Sequence, residues 1–176
     1  MMTRTVRIFI VLLCASVLWA VTGHNTESSA LGKRVVSKEE QEIRGLASRD
    51  MDGALKALES YIEKEPTNDE LVRLKGDLLL KADRKEDAMA AFRKALEMNE
   101  RSKTALIGIG KTQMAMGELD AAEQTLLSAL SLNPNPAYAH YELGRLYELK
   151  KNFDKAVQHY RDGIESLGFK AGCSTK

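Results

Sequence analysis

The stretch HYELGRLYELKKNFDKAVQHYRDG, running from His140 to Gly163, decides the fold. It sets Leu143, Gly144 and Tyr147 before a polar break, and Ala156, Tyr160 and Gly163 after it. Stepping back 34 residues at a time returns the same kinds of residue. Gly144 follows Gly110 and Gly76, and Ala156 follows Ala122, Ala88 and Ala54. Tyr160 follows Leu126, Phe92 and Leu58, while Gly163 follows Ala129 and Ala95. Small or apolar columns recurring in one phase mark an internal repeat, the first thing to look for in any chain.

Each copy holds two apolar-periodic stretches of about 13 residues, joined by three or four polar ones such as Met116-Gly117-Glu118. Leu119, Ala122, Leu126 and Ala129 fall at i, i+3, i+7 and i+10, one face of a helix. Glycine inside a helix costs about 1 kcal/mol. Its return at positions 76, 110 and 144 therefore implies a helix that approaches closely, with Ala88, Ala122 and Ala156 as the expected other side. Asn133-Pro134-Asn135-Pro136 breaks the chain before the next helix. The expectation is an all-α array of stacked helix pairs, burying a core that no pair could bury alone.

The copy His140-x2-Leu143-Gly144-x2-Tyr147, then Ala156-x3-Tyr160, resembles the tetratricopeptide repeat, with its W-x2-L-G-x2-Y, A-x3-F and terminal P. The preceding copy offers Leu106, Ile109-Gly110, Ala122, Leu126 and Pro134. The one before offers Val72, Gly76, Leu79, Ala88 and Phe92. The first keeps Ala54, Leu58 and Pro66 but has Lys38, Gln41 and Glu42 where apolar residues and glycine are wanted. The resemblance covers about residues 36–168, in copies near 36–68, 69–102, 103–136 and 137–168, the first degenerate. It implies a solenoid of about four antiparallel helix pairs. Its concave side, lined by the first helix of each pair, takes a partner segment. The family's clamp for chaperone tails uses Lys and Asn columns. Here those columns hold Arg73, Asp77, Ile107, Lys111 and Tyr138, so that clamp is absent.

The chain has 176 residues, the length of one ordinary domain. With 44% hydrophobic and 29% charged residues it can build a core, which excludes a disordered tail and a multi-span membrane protein. Lys and Arg number 26 against 25 Asp and Glu, a net charge of +1 that gives no field to draw in nucleic acid.

Residues 1–23 stand apart. Arg4 and Arg7 precede an uncharged run from Ile8 to Gly23. As a helix the run spans about 24 Å, short of a roughly 30 Å hydrocarbon core. Signal peptide and uncleaved membrane anchor both stay open. Val21-Thr22-Gly23 is a passable cleavage site, and Leu12-Leu13 before Cys14 argues against a lipoprotein. Either way the two arginines place the domain outside the cytoplasm, exported and soluble or held by residues 8–23. Residues 24–35 read as a linker and 169–176 as a flexible tail; Leu167 and Phe169 either fold back as a lid or leave an apolar edge open. Once Cys14 is removed, Cys173 has no internal partner and is either idle or the site of an intermolecular disulfide.

Ala105-Leu106-Ile107-Gly108-Ile109-Gly110-Lys111-Thr112 imitates a phosphate-binding loop. That loop works only between a strand and a helix, and Glu100-Arg101-Ser102-Lys103 is no strand. His140 occupies the repeat's large-aromatic column, His159 a second helix and His24 the linker, with no spacing of metal ligands. No catalytic residue, cofactor or metal is expected. The expected partner surface is a ladder of Arg73, Ile107 and Tyr141 beside a ladder of Asp77, Lys111 and Arg145. Ile107, Met114, Tyr138 and Tyr141 would form an apolar patch edged by Arg73, Lys111 and Arg145. The expected partner is a protein or peptide segment with apolar anchors and some acidic residues, making the chain a non-enzymatic scaffold. The rival roles are a membrane-tethered factor for envelope-complex or cytochrome assembly, and a solenoid that self-associates through its last repeat.

Overall fold

A computed structural model describes residues 37–132 and 137–168. The N-terminal run, the linker, Asn133–Pro136, both cysteines, His24 and the tail lie outside the described residues. Within them the chain is all helix: α1 (Lys38–Ala47) and α2 (Met51–Lys64), α3 (Asp69–Lys81) and α4 (Lys85–Met98), α5 (Lys103–Met116) and α6 (Leu119–Ser131), α7 (Ala137–Leu149) and α8 (Phe153–Ser166). The expected all-α solenoid of helix pairs is what forms. Among the described residues no helix is long and apolar enough to cross a membrane.

Local chemistry sets the helix ends. The Ser37, Asp50, Asn68, Ser102 and Asn152 side chains each accept from a backbone N–H three residues on, capping α1, α2, α3, α5 and α8. The turns inside the last three pairs share one device. Asp83, Gly117 and Lys151, again 34 apart, take the left-handed backbone conformation, with φ of 59°, 82° and 59°. That conformation closes a helix end and lets the chain double back.

The glycine columns do admit a close neighbour, but it is not the alanine column. A β-carbon on Gly76 would stand 2.7 Å from the Phe92 ring, one on Gly110 2.7 Å from Leu126, and one on Gly144 2.4 Å from the Tyr160 ring. The glycines of the first helices thus face the large column at 92, 126 and 160 of the second helices. Large side chains need the missing β-carbon; alanines do not.

Every helix packs on the next along the chain. The first helices also touch one another, α1 on α3, α3 on α5 and α5 on α7. The second helices α2, α4, α6 and α8 make no such mutual contact. Packing closely along one side and spreading along the other curves the array, with α1, α3, α5 and α7 on the inside. The spread leaves a groove of about 350 Å³ between α2 and α4, floored by Leu55, Ile62, Val72 and Leu79.

Candidate functional site

The inner face is built from α3, α5 and α7, and its three helices differ in what they leave exposed. On α3, Arg73 is buried. Its Nε donates to Glu70 at 2.8 Å, its Nη1 to Asp77, and its Nη2 lies 3.7 Å from the buried Glu40 of α1. Arg44 of α1 joins in, donating to Glu40 at 2.8 and 2.9 Å and standing 3.5 Å from Asp77. Burial alone would lower the Arg73 pKa, but Asp77 and Glu70 more than offset it, and the guanidinium is held more firmly charged than usual. Arg73 is therefore first a clamp between α1 and α3, not an exposed rim to a groove.

On α5 the expected surface is corrected. Ile107 is 2% exposed and Met114 8%, both packed in one cluster with Ala139, Leu143 and Leu146 of α7. The reason is positional. Ile107 shares a column with Tyr141, but α7 covers Ile107, while among the described residues no further hairpin covers Tyr141. Lys111 is half-buried and its Nζ reaches the Tyr138 hydroxyl at 3.4 Å. The phosphate-loop imitation at 105–112 falls wholly inside α5, where helix hydrogen bonds occupy the backbone N–H groups and leave no cradle.

On α7 the aromatic expectation meets a real surface. Tyr138 is 48% and Tyr141 50% exposed, their rings stacked with centroids 6.5 Å apart and 8° between planes. Tyr141 also meets the Tyr160 ring at 5.9 Å. Burial, with a hydrogen bond to Glu148 next, pushes the Tyr160 phenol up to about 12. Arg145 is exposed and donates to the buried Glu142 at 2.9 Å. The geometry therefore unites Tyr138, Tyr141, Lys111 and Arg145. It leaves out Ile107 and Met114, and sets Arg73 in the α1–α3 clamp.

One arrangement escaped the sequence reading. His140 of α7 and His159 of α8 meet, Nδ1 to Nδ1, at 3.1 Å, and Asp162 stands beside them. Their 19-residue separation is no local ligand spacing. It is, however, the distance between a first-helix and a second-helix position that pack together, so reading across the hairpin would have found it. Nearby, the Tyr147 hydroxyl donates to Glu123 of α6, which also accepts from Lys150. The Lys150 and Tyr147 hydrogen bonds keep the Glu123 carboxyl below its ordinary range.

Known proteins resemble this arrangement. One tetratricopeptide repeat model matches residues 45–94 and 86–140, and a second such model matches 125–158. Anaphase-promoting complex subunit 3 of Schizosaccharomyces pombe is 30% identical over 112 residues, 64% of this chain and 17% of that protein. TPR repeat-containing protein YpiA of Bacillus subtilis is 25% identical over 116 residues, 66% of this chain and 27% of that protein. The chain thus spans less than a third of either relative. A crystal structure of MamA superposes with a TM-score of 0.58 at 25% identity, covering 74% of each chain.

Proposed function

Because the chain belongs to the tetratricopeptide repeat family, we propose that it is a non-enzymatic scaffold that holds a segment of a partner protein on its inner face, outside the cytoplasm. The observation that carries the reading is the Tyr138–Tyr141 pair, half exposed between Lys111 and Arg145. Aromatic side chains bury much area for little lost freedom, and beside arginine they make the usual interface anchors. An unused helical face would carry Glu and Lys there instead. The partner segment then brings apolar anchors for the tyrosines and acidic side chains for Lys111 and Arg145. The test is a double variant, Tyr141→Ala with Arg145→Ala. It should release the partner that the wild type retains while leaving helicity and melting nearly unchanged. A double variant that keeps its partner refutes this surface.

A second reading, self-association, rests on α8. Phe153, Val157 and Ile164 stand exposed on one face of that helix, Phe153 at 66%. Ile164 continues the column Ile62, Leu96, Leu130, whose earlier members are partly buried. Its counterparts pack against buried clusters, so this face suits another helix pair, including one from a second copy.

A further inference from the structure

We propose that the last hairpin holds a divalent transition-metal site of the zinc class, made of His140 Nδ1, His159 Nδ1 and the Asp162 carboxylate. One ligand atom of each of the three residues lies within 4.8 Å of the other two. The two nitrogens, 3.1 Å apart, are close to the roughly 3.3 Å that two ligands keep at tetrahedral angles with bonds of 2.0–2.1 Å. His159 and Asp162 come from one face of α8, three residues apart, and His140 from the facing side of α7, so two rigid helices position all three. The His159 ring lies flat against Tyr147, with 5.2 Å between centroids and 6° between planes. Tyr147 is anchored in turn by Glu123. One Asp162 oxygen accepts from Gln158 at 2.8 Å, which fixes the carboxylate. Such supporting contacts orient ligands in metal sites.

The repeat itself supplies a comparison. The same three positions hold Leu106, Thr125 and Ser128 one copy earlier, and Val72, Ala91 and Lys94 two copies earlier. Only the last of these three hairpins carries a ligand set there. All three of its side chains are half-buried, so the remaining coordination positions open to solvent. Two imidazoles with one carboxylate suit a cation of intermediate softness, whereas Mg²⁺ prefers an all-oxygen shell.

The alternative is a plain hydrogen bond between the two imidazoles, and metal titration separates the two. Zn²⁺ is titrated calorimetrically into the full chain, without a histidine tag, in mild detergent. The expected result is one saturable site, weakened about tenfold or more in His159→Gln and in Asp162→Asn, with no comparable Mg²⁺ binding. His24→Gln and Cys173→Ser should keep the site. The melting temperature of the wild type should rise with Zn²⁺, and that of His159→Gln should not. Circular dichroism without metal checks that each variant folds, and Asp162→Asn, an isosteric change at a half-buried position, keeps one variant informative if His159→Gln is unstable. Absence of saturable binding up to about 1 mM Zn²⁺ (a dissociation free energy near 4 kcal/mol), equal affinity in wild type and both variants, or a site lost with Cys173→Ser instead overturns the proposal.

Discussion

The Phe92 ring of α4 occupies the space that a β-carbon on Gly108 of the next hairpin would need, its nearest carbon standing 2.3 Å from that point. Phe92 is fully buried, so the ring cannot swing aside. Alanine in mid-helix gains about 1 kcal/mol over glycine, but overpacking a filled core costs about 1–3 kcal/mol. Gly108→Ala should therefore lose up to about 2 kcal/mol in urea unfolding. Gly45 of α1 has nothing within 4 Å of its missing β-carbon. Gly45→Ala should instead gain about 0.5–1 kcal/mol. Equal effects at the two sites would contradict the packing described.

Arg73 and Arg44 contact the same two carboxylates, Glu40 and Asp77, from different depths. Arg73→Met leaves the buried Glu40 with less countercharge, and should cost about 3 kcal/mol. The Arg44 side chain is 44% exposed, so Arg44→Ala should cost about 1 kcal/mol or less. The comparison is read from chemical melts at one pH and salt. A larger loss at Arg44 would return Arg73 to the role of a surface residue.

If the apolar face of α8 is an assembly surface, charge on it will abolish assembly. Phe153→Glu with Ile164→Lys should hold the chain monomeric by sedimentation at concentrations where the wild type associates. Both side chains are exposed, so stability should change by less than about 0.5 kcal/mol. A wild type that stays monomeric at high concentration removes the self-association reading.

The location is tested by fusion. A phosphatase that works only outside the cytoplasm, joined after Lys33, should be active, and a cytoplasmic reporter at the same point silent. The reverse pattern would end the export reading, and the mass of the mature chain would separate cleavage after Gly23 from retention.

The architecture was legible because packing selects residue size at fixed intervals. Gly144 and Tyr160 must be small and large together, and so must Gly110 and Leu126. The surface was less legible, because residue type does not say what lies on top. Ile107 and Tyr141 occupy equivalent places, yet among the described residues only the first has a following helix over it. The same limit explains Met114, read as exposed and found packed among α6 and α7 residues. His140 and His159 meet across a hairpin, so their spacing along the chain carries no ligand signal.

Among the described residues, no helix touches another more than two places along the chain. Little loop-closure entropy is then spent before contacts begin to form. Such short-range topologies fold in microseconds to milliseconds where sheet-rich chains of similar size take far longer. Each hairpin needs only its neighbour to settle, so ordering can start anywhere along the array and spread. The first and last of the described hairpins, each with one described neighbour instead of two, should exchange their amide hydrogens first, and the Phe92 junction, where a ring from one hairpin is seated in the next, should exchange last.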